Sequence, residues 1–241
     1  MTSTIDSAGS ALRVGVLAVQ GDVREHIRVI ESLGGEAVPI RRPSELELVE
    51  GLIIPGGEST TMDKLTRAFD LAEPVRQLIR DGFPVYGSCA GMIMLADTIA
   101  DPSLDLRGDP QQTLGGLDIV VRRNAFGRQR ESFETDLAFT ELPGDGAPVH
   151  AVFIRAPWVE KVGESVEILA QVDAPETPPA EHGAVGYPSK GQEQPVARIV
   201  AVRSGNLLAT SFHPEVTGEH RIHELFLSLI AQRRAEHVGA L

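Results

Sequence analysis

The chain has 241 residues, 42% of them hydrophobic, which suffices for one sizeable α/β domain with its own core. Its 34 acidic residues outnumber 22 basic ones for a net charge of -12, so a broad phosphate-binding surface is not expected, nor is nucleic acid as a partner. A lone cysteine excludes an intramolecular disulfide, the opening M-T-S-T-I-D-S-A-G-S is unlike a signal peptide, and no apolar run reaches the roughly 18 residues that cross a bilayer; the expectation is a soluble cytoplasmic protein without a membrane partner.

Residues 1–11 read as a flexible extension. L-R-V-G-V-L-A-V then reads as a strand closed by Gln20-Gly21, and Val23, Ile27, Ile30 and Leu33 recur at helical spacing before the stop signal Gly34. E-A-V-P-I and G-L-I-I-P-G-G supply two more strands, the latter ending in a Pro-Gly-Gly turn. Two helical segments are expected between Ser59 and Asp81, then a strand at F-P-V-Y and a helix from Ala90 to Ala100. Strands alternating with helices predict a parallel sheet covered on both faces. Beyond residue 115 the runs I-V-V-R-R, V-H-A-V-F-I-R, V-E-I-L-A-Q-V, P-V-A-R-I-V-A-V-R and L-L-A-T-S-F are strand-like with few helices between them, which predicts mixed or antiparallel extensions. Residues 173–195, rich in Pro, Gly and charge, read as a mobile loop. A helix around Glu219 to Arg234 carries an apolar stripe of Ile222, Leu225, Phe226, Leu229 and Ile230, followed by a tail over 233–241. The fold class is therefore α/β: one three-layer domain over 12–232, its central sheet mostly parallel.

The only cysteine, Cys89, sits in Y-G-S-C-A-G-M, where a strand turns directly into a helix. Gly87 and Gly91 allow the close approach that a nucleophile elbow needs, and the start of the following helix faces the sulfur, which favours thiolate. The plainer alternative is an inert core thiol. A thiol nucleophile needs a base, and in L-L-A-T-S-F-H-P-E the imidazole of His213 follows an apolar strand with Glu215 two residues on. If the backbone stays extended through Pro214, the two side chains project to one side and the carboxylate fixes the ring's tautomer, making a Cys89-His213-Glu215 triad. P-G-G-E-S-T-T offers the amides of Gly56 and Gly57 at another strand end, and with Ala90 these are the candidate oxyanion donors; taken alone the segment is a turn with Ser59 or Thr60 as helix cap. His220 and His223, flanked by Glu219 and Glu224, lack the three convergent ligands of a zinc site and read as exposed residues of the last helix, so no metal is expected. His26 reads as a solvated helix residue.

The strings L-A-V-Q-G-D-V-R-E-H, L-I-I-P-G-G-E-S-T-T-M, Y-G-S-C-A-G-M-I-M-L-A, R-N-A-F-G-R-Q-R-E-S-F-E, F-I-R-A-P and S-F-H-P-E resemble, in this order, the glutaminase subunits of pyridoxal 5'-phosphate synthase, a family of class I, triad-type glutamine amidotransferases. The likeness runs from about Arg13 to Ile230; the first ten residues and 173–195 depart from it. It implies that Cys89 attacks the side-chain amide of L-glutamine, that His213 shuttles protons and that Glu215 orients the imidazole. It further implies glutamine contacts at Gly57, Glu58, Ser59, Arg123, Ile154 and Arg155. The implied partner is a (β/α)8-barrel pyridoxal 5'-phosphate synthase subunit in a large hetero-oligomer, with no cofactor on this chain. Readings that keep part of this chemistry are a triad glutaminase or cysteine hydrolase serving another pathway, and a catalytically silent regulatory subunit; an intact triad speaks against the last.

Overall fold

A computed structural model of the chain describes residues 11–105, 107–123, 132–144, 146–172 and 198–239. The expected extension over 1–11, except Ala11, the loop at 173–195 and the segment N-A-F-G-R-Q-R-E lie outside the described residues.

The first half alternates as expected: β1 (Arg13–Leu17), α1 (Val23–Ser32), β2 (Glu36–Ile40), a 3-10 turn (Pro43–Leu48), β3 (Gly51–Ile54), α2 (Ser59–Ala68), α3 (Ala72–Arg80), β4 (Val85–Ser88) and α4 (Ala90–Leu95). Then follow β5 (Ala96–Ile99), β6 (Leu117–Arg122), β7 (Ser132–Leu137), β8 (Val149–Ile154), β9 (Trp158–Val162), β10 (Glu167–Val172), β11 (Arg198–Ser204), β12 (Leu207–Thr210), α5 (Pro214–Thr217) and α6 (Arg221–Gly239). Ten strands form one sheet in the order β2-β1-β3-β4-β12-β11-β9-β6-β5, with β10 also on β11, while β7 and β8 pair apart as an antiparallel ribbon. From β2 to β12 every neighbour is parallel; β11 then runs antiparallel to β12, β10 and β9.

The strands β3, β4 and β12 are buried along their whole length, as central strands covered on both faces must be. Alternation along β3 divides the core: Leu52 and Ile54 pack with Met62, Val75 and Met92, whereas Ile53 packs on the other face with Tyr86, Phe226 and Ile230. Helices therefore cover both faces, and α6 lies so close that a Cβ at Gly51 would fall 2.3 Å from Ile230.

The structure corrects the local reading at several places. The helix after Cys89 stops at Leu95 rather than Ala100, and Ala96–Ile99 pairs with β6 as a parallel strand. Thr98 and Ile99 are β-branched, and the Asp97 carboxylate accepts the Gly116 amide at 2.7 Å, tying the segment to the approach to β6. Strands β7 and β9 were missed because their faces are largely solvated, which erases the apolar run. Helix α6 continues through Gly239, past the point where the sequence reading placed a tail.

Candidate active site

Four adjacent parallel strands, β1, β3, β4 and β12, point their carboxyl ends to one edge, the place where open α/β sheets gather ligands. From them come, respectively, Asp22, Gly56-Gly57, Cys89 and His213. Cys89 is the first residue past β4; its amide donates to the Thr210 carbonyl of β12 at 2.8 Å, and its φ of 48° with ψ of -100° is a strained setting for a residue with a Cβ. The two glycines of the elbow are required by contact. A Cβ at Gly87 would lie 2.5 Å from the Gly91 carbonyl, and one at Gly91 would lie 2.1 Å from the Ile54 carbonyl oxygen of β3. Cys89 is 7% exposed yet stands on the wall of a cleft of about 430 Å³, which is ample for a free amino acid.

The imidazole of His213 lines the same cleft. Its Nδ1 lies 2.8 Å from Glu215 Oε1 and 3.4 Å from Asp22 Oδ2. The backbone is not extended through Pro214, as the spacing argument assumed: His213 caps α5, and Pro214 opens a helical turn that swings Glu215 back under the ring. The pairing forms all the same. Burial opposes a charge on His213, but hydrogen bonds with Asp22, Cys89 and Glu215 outweigh it and hold the imidazole pKa up, to about 12. Burial pushes the Glu215 carboxyl upward, while His213 pulls the other way.

Gly57 and Ala90 are on the cleft wall, with Gly56 packed behind so tightly that a Cβ there would meet His213 Cε1 at 2.3 Å. The Gly56 carbonyl accepts the Asp22 amide at 3.1 Å, and Gln20 Oε1 accepts the Glu58 amide at 2.9 Å, so the end of β1 braces the Pro-Gly-Gly turn. The cap of α2 is Glu58, not Ser59 or Thr60. Its carboxylate accepts the Thr60 and Thr61 amides at 3.2 and 2.7 Å and both threonine hydroxyls; burial works against the anion, but these bonds lower its pKa to about 2. Arg123 reaches Glu58 at 3.3 Å and donates to Ser103, its side chain 13% exposed, so it is a half-enclosed bridge rather than a solvated surface pair. Ser59, Ile154 and Arg155 line the same cleft. Arg155, at φ 44°, makes no ion pair among the described residues. Every residue expected of the site thus gathers at one cleft, with Gly56 and Glu215 just behind its lining.

The sequence profile of the SNO glutamine amidotransferase family matches residues 16–232. The chain belongs to that family. It is 65% identical over 228 residues to the pyridoxal 5'-phosphate synthase subunit PdxT of Arthrobacter sp. (strain FB24), covering 92% of this chain and 94% of that one. It is 62% identical over 239 residues to the protein of the same name from Paenarthrobacter aurescens (strain TC1), covering 95% and 98%. A solved structure described as a glutamine amidotransferase matches with a TM-score of 0.71 at 42% identity, over 90% of this chain and 98% of that one.

In this amidotransferase the sequence reading missed two kinds of residue. Gln20 and Asp22 could have been found from the rule that located Cys89 and His213, since they follow the end of a buried parallel strand. The other kind is buried. His26 and His223, read as solvated, have no exposed surface and meet each other behind the His213–Glu215 pair. His26 falls three residues after Val23 and four before Ile30, on the apolar stripe of α1, so its spacing alone marked it as inward-facing. No helix among the described residues is long and apolar enough to cross a membrane.

Proposed function

We propose that Cys89, His213 and Glu215 are the catalytic triad by which this amidotransferase hydrolyses L-glutamine to L-glutamate and ammonia through a cysteine thioester. The observation that carries this reading is that Cys89 and His213 stand on the wall of one amino-acid-sized cleft with the Glu215 carboxylate 2.8 Å from the His213 ring, the thiol being one of the groups that raise the imidazole pKa. With Nδ1 committed to Glu215, Nε2 is the nitrogen left for the sulfur. The Cys89 sulfur, its proton held by His213, attacks the side-chain carbonyl carbon of glutamine and a C–S bond forms. The carbonyl oxygen becomes an oxyanion facing the amides of Gly56, Gly57 and Ala90. As the C–N bond breaks, His213 returns its proton to the departing nitrogen and ammonia leaves. Water then gives a proton to His213 and attacks the thioester carbon; glutamate departs and the sulfur is restored.

Substrate contacts at Gly57, Glu58, Ser59, Arg123, Ile154 and Arg155 fit this chemistry. Arg155, without an ion pair among the described residues, is the guanidinium left for the α-carboxylate, and the Glu58 carboxylate, anionic at neutral pH, suits the α-ammonium. The resemblance to named pyridoxal 5'-phosphate synthase subunits supports ammonia delivery to a (β/α)8-barrel synthase partner in a large hetero-oligomer in the cytoplasm, with residues 12–232 as the glutaminase domain. Direct transfer has a chemical reason: ammonia released into neutral water is mostly protonated and no longer nucleophilic.

The test pairs the chain with its synthase and compares wild type with Cys89→Ala. The variant is expected to lose glutamine-dependent pyridoxal phosphate synthesis while ammonium salt still supports it. Unchanged use of glutamine by the variant would overturn the triad; full glutamine hydrolysis with no response to the synthase would favour another pathway.

A further inference from the structure

We propose that His26 is a positioning residue for the triad, a neutral imidazole whose Nε2–H faces the Glu215 carboxylate and the residue preceding Cys89; the inference rests on the triad reading above. His26 is wholly buried on α1. Its Nε2 lies 3.1 Å from Ser88 Oγ and 3.5 Å from Glu215 Oε1, and its Nδ1 lies 2.9 Å from His223 Nε2 of α6. One ring therefore touches β4 just before the nucleophile, the carboxylate that orients His213, and the helix beneath both. Tyr86 closes the space, its ring edge-on to His26 with its hydroxyl turned away to Thr210.

The direction of the protons follows from what each nitrogen faces. Burial, with the charges of His223 and His213, drives His26 well below its ordinary pKa, and burial with the charge of His220 takes His223 to about 3, so both rings are neutral and carry one N–H each. Only one proton can lie between His26 Nδ1 and His223 Nε2. If His26 donated it, His26 Nε2 would aim a bare lone pair at the Glu215 carboxylate. The remaining N–H of His223 would then sit at Nδ1, a buried atom with no hydrogen-bond partner among the described residues. If His223 donates, the first fault vanishes and the second is eased: His223 Nδ1 is left as an unpartnered acceptor instead of an unpartnered donor, and His26 Nε2–H points at Ser88 and Glu215. The chain therefore runs from His223 to His26 toward the carboxylate.

Glu215 Oε1 then stands between two histidine N–H groups, His213 at 2.8 Å and His26 at 3.5 Å, in a place where its own side chain has no exposed surface. The second N–H favours the carboxylate over the neutral acid, and only the carboxylate can accept from His213 Nδ1 and keep Nε2 turned to the sulfur. His26 touches no reacting atom; it acts through Glu215 and Ser88.

The test uses the chain complexed with its synthase and the variants His26→Leu and His26→Gln, of which only the glutamine can present an N–H where Nε2 stands. Glutaminase kcat and KM are followed across pH, with ammonium-supported pyridoxal phosphate synthesis as the control for folding and assembly. Partners that orient metal ligands from behind typically count for about 10–100-fold, and the same scale is expected for a group that orients a carboxylate behind a catalytic imidazole. His26→Leu is expected to lower kcat by about that factor with KM for glutamine little changed, and to move the acid limb of the profile to higher pH, because Glu215 without the donor protonates sooner; His26→Gln is expected to restore the limb. Should His26→Leu fail the control, His26→Met, an adaptable apolar side chain that likewise offers no N–H to Glu215, takes its place with the same expected shift of the limb. An unmoved acid limb in the folded variants, or equal impairment of His26→Leu and His26→Gln, overturns the proposal. If Cys89→Ala kept its glutaminase activity the triad reading itself would fall, whereas an inactive Cys89→Ala beside an unmoved limb removes His26 alone.

Discussion

Glu215→Gln separates the charge of the carboxylate proposed for the triad from its shape. The substitution keeps the volume beneath His213 but replaces a charge-assisted acceptor at 2.8 Å with a neutral amide. Hydrogen bonds to charged groups contribute roughly 1.5–3 kcal/mol, which at 1.36 kcal/mol per decade of rate is a loss of about 10- to 150-fold in kcat. The loss is bounded because Asp22 Oδ2, 3.4 Å from the same Nδ1, is a second acceptor. Asp22 and Glu215 share one nitrogen, so their effects should not add: Asp22→Asn alone costs little while Glu215 remains, and the double variant falls well below the product of the singles. The assay is steady-state ammonia release from glutamine with the synthase present, the four proteins compared at one pH. Removing the carboxylate also withdraws one of the bonds that hold the His213 pKa up, so the imidazole should titrate lower in Glu215→Gln, read by NMR of its ring protons. Glu215→Gln with full activity, or strict additivity in the cycle, would refute the idea that these carboxylates act through His213.

Gly91→Ala puts a Cβ 2.1 Å from the Ile54 carbonyl, where backbone faces backbone, so α4 must shift against β3; a destabilisation of about 1–3 kcal/mol is expected by denaturant titration, together with loss of glutaminase activity. The folded pKa of Glu58, about 2, lies below its ordinary 4.5, so this group's contribution to stability is present above about 4.5 and lost as pH falls through about 2. Glu58→Gln should therefore flatten that part of the stability profile in thermal melts from pH 5 to 2, and an unchanged acid slope would contradict the capping role. Arg155→Met should raise KM for glutamine about tenfold or more with kcat nearly constant, the signature of an interaction made equally in ground and transition states; a fall in kcat alone would place Arg155 elsewhere.

The architecture was legible wherever burial leaves a continuous apolar run. G-L-I-I and F-P-V-Y announce central parallel strands because both faces are covered, and they end at the residues that carry chemistry. Cys89 stood out because a lone thiol between two glycines after such a strand has few other purposes. The contact of His213 with Glu215 was expected on a wrong premise: proximity came from a helical turn opened by Pro214, and at a separation of two residues either conformation can bring the side chains together. What the sequence hid is what tertiary contact creates. Nothing local shows that Asp22 of β1's end would meet His213 across two strands, or that His26 and His223, 197 positions apart, would share a proton. The β7–β8 ribbon was equally silent in its first strand, since β7 alternates with residues such as Ser132, Glu134 and Asp136 whose side chains stay in water.

The most direct measurement is the intact mass of the chain, acid-quenched during turnover with glutamine in the presence of the synthase, followed by peptide mapping. A glutamyl group bound through sulfur at position 89, formed and discharged at the rate of ammonia release and missing from Cys89→Ala, is the predicted result. Ammonia released as fast by Cys89→Ala, or an acyl group carried on any other residue, would contradict the account.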